Sequence, residues 1–223
     1  MENNFTYIKE NRVLNNNQTL AFLKAFNKVF HDNKYKSIQE NTYEFSKNKI
    51  LNEPLFGSLL DIIQKKFKQI TGFKDLSFKK LWLVSSSPNN TKKDHLPYIP
   101  HIDKNRYLKA MVYLHDISLN HGPIHLGKVK SNINLEHERK KFTKDYKKKG
   151  LNIVGHEKIE GNLFPMIGKA GDVVFFDTNT PHKAGIVSDG FNRKILRFDF
   201  ERSFFNHNYS IFNFILNKFN KSI

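Results

Sequence analysis

The chain has 223 residues, of which 37 are lysine or arginine and 21 are aspartate or glutamate, so its formal net charge at pH 7 is +16. This length fits one domain with a sizeable core, and the lack of cysteine excludes disulfides, thiolate metal ligands and a catalytic thiol. Because no apolar run reaches the length of a membrane span and the first residues do not resemble a signal peptide, we expect a cytoplasmic protein without a membrane partner.

Two amphipathic helices are predicted in the first third of the chain. Asn17 is the candidate N-cap of a helix over Thr19–His31, and Pro54 begins a second helix that runs to about Thr71 and ends at Gly72. We expect their apolar stripes to pack into the core and to support one face of a sheet. The stripes are Leu20, Phe22, Leu23, Phe26, Val29 and Phe30 in the first helix, and Leu55, Leu59, Leu60, Ile62, Ile63, Phe67 and Ile70 in the second.

Strand patterns dominate from residue 76 onward. The clear runs are Phe78–Val84, Leu96–Asp103, Arg106–Leu114, Gly122–Leu126, Gly171–Phe176 and Arg193–Phe200. Further strands are expected in Ser131–Asn134, Leu151–Val154 and Ala184–Val187. Short strands separated by Gly, Pro and Asn favour a mainly β jelly roll with flanking N-terminal helices.

The domain plan that follows is a single domain with an insertion. Residues 1–75 form a helical support, residues 76–202 form the jelly-roll core, and residues 203–223 form a C-terminal helix or tail. The insertion spans residues 127–165, and within it Leu135–Lys149 reads as a polar helix. This helix is either a lid that helps to choose the substrate or a solvated surface helix. The Phe-rich tail packs on the core or forms a dimer contact, so the oligomeric state stays open.

The residue types with the clearest chemistry are two histidines and one aspartate. His101 and Asp103 are two positions apart, so on a strand both side chains leave the same face. His182 follows far downstream, after the apolar run that begins at Gly171. Two imidazoles and one carboxylate can cover one triangular face of an octahedral Fe(II) and leave the opposite face open. The alternative is a turn aspartate beside a surface histidine.

Two arginines follow the last histidine on one alternating strand. Arg193 could pair with the far carboxylate of a dicarboxylate that chelates the metal, because a guanidinium binds a carboxylate through two parallel hydrogen bonds. Arg197 lies four residues later and therefore on the same face. A buried guanidinium needs an acidic partner. That partner is either an internal carboxylate, Asp199 or Glu201, or an anionic group of the substrate.

One face of the strand after the first ligands is a candidate pocket wall. Tyr107, Lys109, Met111 and Tyr113 alternate along this strand and share a face. If that face is the barrel interior, these residues line the pocket and contact the substrate. If it is not, they lie on the outer surface.

These motifs together resemble the Fe(II)- and 2-oxoglutarate-dependent dioxygenases, and among them the phytanoyl-CoA dioxygenase-like branch. The resemblance covers roughly positions 80–202. It is carried by His101-Ile-Asp103, by Gly171-Asp-Val-Val-Phe-Phe leading into Pro181-His182, by Arg193-Lys194, and by the Met111–Leu126 segment, in which His121 separates Asn120 from Gly122. The fold implied is a double-stranded β-helix.

The resemblance also implies an activity. Fe(II) would be held by His101, Asp103 and His182, and 2-oxoglutarate would pair with Arg193. O2 would be consumed, an unactivated C–H bond hydroxylated or otherwise oxidised, and succinate and CO2 released. Related taurine-type oxygenases are similar in having a second arginine at the spacing of Arg197 that grips the substrate's acid, which suggests a small, anionic substrate. Related halogenases have a small residue at the place of Asp103, so a carboxylate there argues for hydroxylation, desaturation or cyclisation.

Two other classes of function remain open. One is a cupin-like metal-dependent isomerase that works without 2-oxoglutarate. The other is a non-catalytic or nucleic-acid-acting relative, which the net charge of +16 suggests. Lysines are spread over every segment and only six of the 37 basic residues are arginine. We therefore interpret the charge as a solvated surface that attracts anionic substrates, and we do not expect a nucleic-acid partner.

Overall fold

A computed structural model describes residues 5–32, 41–51, 53–90, 96–103, 105–135, 137 and 159–202. In these residues the strands are β1 Tyr7–Glu10, β2 Thr42–Ser46, β3 Leu76–Ser86, β4 Leu108–Tyr113, β5 His125–Val129, β6 Ile159–Pro165, β7 Val173–Asp177, β8 His182–Lys183 and β9 Arg193–Arg202. The helices are α1 Asn16–His31, α2 Lys47–Leu51 and α3 Pro54–Thr71, with 3-10 turns at Pro88–Asn90 and Leu119–His121. No helix within these ranges has the length and apolarity needed to cross a membrane.

The strands form two antiparallel sheets. The larger has six strands in the order β1-β7-β4-β9-β3-β2, and the smaller has three in the order β6-β5-β8. Most neighbouring strands of the larger sheet are not consecutive in the chain, as the pairing of β1 with β7 and of β4 with β9 shows. The predicted fold class, a mainly β jelly roll with N-terminal helices, is confirmed.

The six-stranded sheet packs one face against the helices, and we call this its outer face. Successive side chains of a strand point to opposite sides, so every second residue contributes to this core. Phe67 of α3 is fully buried, and its ring lies 4.8 Å from the ring of Phe175 and 5.7 Å from that of Phe200. The outer-face core includes Leu81, Leu83, Leu108, Ala110, Val112, Val173, Phe175, Leu196, Phe198 and Phe200.

The opposite face of this sheet, which we call the inner face, carries both apolar and charged residues. A second buried cluster joins it to the smaller sheet and contains Tyr113, Ile117, Ile124, Leu126, Val174, Phe176 and Ile195. The alternation also places Lys80, Trp82, Ser86, Lys109, Arg193, Arg197 and Asp199 on the inner face. Side chains of opposite charge therefore gather between the sheets.

The helices agree with the predicted stripes except at their edges. The N-cap of α1 is Asn15, not the predicted Asn17, because Asn15 and Gln18 form a capping box in which each side chain bonds the other's backbone amide. The second helix runs from Pro54 to Thr71 and ends at left-handed Gly72, as predicted. Leu20 and Leu55 were expected to point inward but are 51% and 39% exposed.

The predicted strand over Leu96–Asp103 is wrong. Only His101 forms a bridge there, with His182. The physical reason is that Pro97 and Pro100 have no N–H to donate to a ladder. Ser131–Asn134 and Ala184–Val187 also form no strand, and Leu151–Val154 lies outside the described residues.

Four strands were not predicted: β1, β2, β6 and β8. Since β1 and β2 are the two edges of the larger sheet, the N-terminal part of the chain contributes strands as well as helices. Residues 159–165 were assigned to the insertion but form β6. Most of the predicted polar helix Leu135–Lys149, and the whole of 203–223, lie outside the described residues.

Candidate metal centre

His101, Asp103 and His182 converge. One potential ligand atom from each lies within 4.8 Å of the other two, and among the described residues this is the group of histidine and acidic side chains that could hold a metal ion. The Asp103 Oδ1 atom is 3.7 Å from the Nε2 atom of His101 and 3.5 Å from that of His182. Both imidazoles are buried, at 5% and 4% exposed.

The backbone sets this convergence. The amide of His101 donates to the carbonyl of His182 at 3.0 Å, and the amide of His182 donates back at 2.9 Å. A further bond from the amide of Ala184 to the carbonyl of Pro97 continues this pairing. Two imidazoles from distant parts of the chain are thereby placed side by side, with ring centroids 4.3 Å apart.

Each imidazole is oriented by a hydrogen bond from its other nitrogen. The Nδ1 atom of His101 lies 2.8 Å from the carbonyl of Ile99, and that of His182 lies 2.9 Å from the carbonyl of Thr180. A carbonyl only accepts, so Nδ1 carries the proton and Nε2 carries the lone pair in the neutral ring. Burial, with His182 close by, lowers the pKa of His101 to about 3, so this ring is neutral at pH 7.

Asp103 supplies a negative charge that is already paired. Burial opposes its ionisation, but the Lys109 ammonium holds the pKa of this carboxyl well below its ordinary value. Lys109 donates to the Oδ2 atom, whereas Oδ1 faces the two histidines. The carboxylate therefore divides its oxygens between a lysine and the shared point of the triad.

These donors fit a divalent transition metal. Two imidazole nitrogens and a carboxylate oxygen are the ligand set of non-haem Fe(II) sites with open positions. Ligand atoms at right angles around a metal with bonds of about 2.1 Å are about 3 Å apart, which is close to the 3.5 Å and 3.7 Å separations. Small side-chain movements would close the triangle.

Arg193 is a buried cation without a carboxylate. Its residue is 5% exposed, and burial lowers the pKa of the guanidinium. It donates to the hydroxyl of Ser86 at 3.1 Å and to the carbonyl of Gly185 at 3.5 Å. Its Nε atom has no hydrogen-bond partner, and no acidic side chain of the described residues lies within ion-pair distance. A buried guanidinium without a counter-ion is costly, so the predicted pairing of Arg193 with an anion stays a prediction that this environment allows.

Arg197, in contrast, has its own carboxylate. Its Nε and one terminal nitrogen donate to the two oxygens of Asp199 at 3.0 Å and 3.1 Å. The guanidinium also lies 4.7 Å from the centre of the Trp82 ring, and the indole N–H donates to Asp199 at 2.8 Å. The internal partner that the sequence allowed is therefore present. Glu201, the other candidate partner, pairs with Lys79.

The other residues predicted to line the pocket lie in two places, three of them on β4 and one before it. Lys109, Met111 and Tyr113 lie on the inner face of the sheet, and their predicted role in lining a pocket is not tested by this placement. The Tyr113 hydroxyl is buried and donates to the carbonyl of Met166 at 2.5 Å. Tyr107 precedes β4, and its amide bonds the Thr178 hydroxyl. Contact of any of these side chains with a substrate stays a prediction.

The sequence did not predict Trp82 and Ser86 as residues of this site. It also did not predict that Asp199 accepts hydrogen bonds from both Arg197 and Trp82. All three follow from the alternation of β3 and β9, because Trp82 pairs with Arg197 and Ser86 pairs with Arg193 in the register of these strands. The signal was available in the run from Lys80 to Ser86 but depends on knowing which strands are neighbours.

No family model and no curated protein matches this chain, but its fold is similar to that of solved non-haem iron enzymes. The α-ketoglutarate-dependent epimerase SnoN from nogalamycin biosynthesis is 15% identical, with a TM-score of 0.64 over 89% of this chain and 78% of that one. HygX from Streptomyces hygroscopicus, solved with nickel and 2-oxoglutarate, is 15% identical, with a TM-score of 0.59 over 90% and 84%. A Pseudomonas putida prolyl-4-hydroxylase is 14% identical, with a TM-score of 0.54 over 89% and 94%. The chain thus has the fold of these enzymes, and the narrower assignment to the phytanoyl-CoA dioxygenase-like branch is not confirmed.

Proposed function

We propose that this protein is a Fe(II)- and 2-oxoglutarate-dependent oxygenase that hydroxylates, or otherwise oxidises, an unactivated C–H bond of a small, acid-bearing molecule. The observation that carries the proposal is the pairing of two preorganised features in one fold. One is the His101, Asp103 and His182 triad, and the other is the buried guanidinium of Arg193.

The cosubstrate fits the charges. Iron with 2-oxoglutarate supplies oxidative decarboxylation, which yields succinate and CO2 and provides the oxidising power for the C–H bond. The triad would bind one face of the metal. Arg193 would donate hydrogen bonds to the far carboxylate of 2-oxoglutarate, with help from the Ser86 hydroxyl. Both groups would hold their partners away from bulk water, which strengthens each charge interaction.

The outcome of the oxidation is a separate question. A carboxylate at position 103 fills the place that chloride would need, which argues against halogenation. Among proteins of this fold, SnoN is an epimerase and SnoK is a carbocyclase, whereas the Pseudomonas putida protein is a prolyl hydroxylase. Hydroxylation is our first expectation, and cyclisation, desaturation or epimerisation would use the same residues.

The test is release of succinate. Purified protein is first titrated without oxygen with Fe(II) and then with 2-oxoglutarate, and oxygen uptake is next screened with a panel of small acids. We expect both ligands to bind and at least one acid to stimulate succinate formation. His182→Ala should abolish both, whereas His31→Ala, which removes an exposed histidine at the end of α1, should leave the binding of both ligands and succinate formation unchanged. Failure of the wild-type protein to bind 2-oxoglutarate in the presence of metal contradicts the proposal.

Two alternatives give different results. A cupin-like isomerase would turn over with metal but without forming succinate or consuming oxygen. A relative that acts on nucleic acid would bind RNA or DNA with an affinity that falls steeply with salt. The buried Arg193, which has no acidic partner among the described residues, supports the first proposal, because 2-oxoglutarate supplies the carboxylate that this guanidinium lacks.

A further inference from the structure

Three of the cations on the inner face differ in their ion-pair partners. Among the described residues, Arg193 has no carboxylate partner, Arg197 is neutralised by both oxygens of Asp199, and Lys109 pairs with Asp103. Lys109 is 7% exposed, so its charge is largely removed from water. Among the described residues, Asp103 is its one ion-pair partner, and that partner is a candidate metal ligand.

Metal binding changes the electrostatic environment of Lys109. An Asp103 carboxylate that ligates a divalent cation gives much of its charge to the metal. A divalent metal, Asp103 and Arg193 together carry two positive charges, and the two carboxylates of 2-oxoglutarate cancel them. Lys109 then adds one positive charge that no described residue compensates. A buried charge without a counter-ion is costly, so the filled site favours an incoming anion.

Lys109 is placed to meet that anion beside the metal. Its ammonium touches Oδ2 of Asp103, while Oδ1 faces the two histidines. An ammonium has three donors, and one is used on Asp103. Its nearest carboxylate across the sheet is on Asp199, which pairs with it in the register of β4 and β9. Asp199 is occupied by Arg197 and by the indole of Trp82.

We infer that Lys109 binds the anionic group of the substrate, a carboxylate, sulfonate or phosphate, and that this site becomes available only when metal and 2-oxoglutarate are bound. This inference rests on the proposed function and deepens it, because it assigns binding of the substrate's acidic group to Lys109. Arg197 then remains paired with Asp199 and does not bind that group. Anion binding and metal binding are then coupled, each raising the affinity for the other.

The experiment measures that coupling without turnover. Methanesulfonate serves as the probe, because it has the charge of the expected group but is a weak metal ligand. Its binding is followed by calorimetry and by the fluorescence of Trp82, the single tryptophan, in metal-free protein and in protein loaded with Ni(II) and 2-oxoglutarate. Arg193 can bind the probe in metal-free protein, where 2-oxoglutarate does not cover it, so the metal-free reference carries Arg193→Met. We expect the loaded wild-type protein to bind the probe about tenfold more tightly than this reference, within the usual range of coupling between sites.

Substitutions at three positions assign the effect. Lys109→Met should remove the gain on loading, and Lys109→Gln serves the same purpose if the methionine variant does not fold. Arg197→Lys should retain the gain. Lys80→Met is the matched control, because Lys80 also lies over Trp82 but pairs with Glu44. It should retain the gain as well.

The outcomes separate this inference from the proposed function. If wild-type protein binds neither metal nor 2-oxoglutarate, the proposed function fails. If both bind but the probe binds equally with and without them, or its gain survives both Lys109 substitutions, the inference alone is wrong. Loss of the gain in Arg197→Lys with retention in Lys109→Met assigns the anion to Arg197 and also overturns it.

Discussion

The two candidate imidazole ligands are reciprocal backbone partners: the amide of each of His101 and His182 donates to the carbonyl of the other, at 3.0 Å and 2.9 Å. This pair forms an isolated bridge outside any long ladder. The positions of both rings are therefore coupled by two short hydrogen bonds, and a change in one segment displaces both ligands.

Removal of the Asp103 carboxylate should abolish metal binding, whereas the protein should still fold with a lower free energy of unfolding. Asp103→Ala is expected to abolish metal-dependent turnover and to lower the free energy of unfolding by about 2 kcal/mol, because Lys109 is left as a buried, unpaired cation. Metal binding is measured by calorimetry and stability by urea denaturation. The double variant Asp103→Ala with Lys109→Met should recover stability but not metal binding. Unchanged activity of the single variant would remove Asp103 from the site.

The two inner-face arginines should differ in their effect on the cosubstrate. Arg193→Ala is expected to raise the 2-oxoglutarate concentration for half-maximal turnover by about tenfold or more, since hydrogen bonds to a charged group contribute about 1.5–3 kcal/mol. Arg197→Ala should change it far less, because that guanidinium is held by Asp199. Steady-state kinetics at varied 2-oxoglutarate concentration measures both. The opposite order means that the two roles are exchanged.

Acid should destabilise the metal-free protein through His101. Its pKa in the folded protein is lowered from 6.5 to about 3 by burial and by His182, so the unfolded chain binds a proton that the folded chain does not. The free energy of unfolding therefore falls as pH decreases from about 6.5 toward 3, by up to about 1.4 kcal/mol per pH unit for this one group. Urea titrations with chelator, at about pH 7 and about pH 5, measure the slope. His101→Asn should reduce it, and equal slopes in the two proteins would contradict this assignment.

The start of α1 offers a matched pair of asparagines. Asn15→Ala should lower the free energy of unfolding by about 1 kcal/mol, because Asn15 caps the helix by accepting a hydrogen bond from the amide of Gln18. Asn17→Ala should have little effect, since Asn17 is exposed in the first turn. Thermal or urea denaturation of both variants decides between the two caps. A larger loss for Asn17 would restore the cap predicted from the sequence.

The fold class and the triad were predicted from the sequence for different reasons. Side-chain periodicity identified α3 and most of the long strands, whereas His101, Asp103 and His182 were found by residue type and order along the chain. Spacing could not predict that a single bridge, rather than a strand, carries His101. Pro97 and Pro100 before it have no N–H to donate and exclude a ladder there.

The remaining differences come from pairings that are distant in the chain. β1 is short and carries two charged residues, and it becomes a strand because β7 lies beside it. The two-residue β8 is held by its pairing with β5 and by the bridge between His182 and His101. The sequence also leaves open whether Arg197 pairs with an internal carboxylate. The answer depends on Trp82, its neighbour in the register, which packs against Arg197 and donates to Asp199. The roles of Arg193, Arg197 and Lys109 stay predictions that the experiments above address.

The alternation of the six-stranded sheet has an evolutionary consequence. Ala110 and Phe198 belong to the helix-packed core, whereas their chain neighbours Lys109 and Arg197 lie on the other side. Substitutions at one set of positions leave the second set's packing intact. Selection can therefore change the charged side chains of the inner face one at a time, while the helix-packed core on the other side maintains the stability of the sheet.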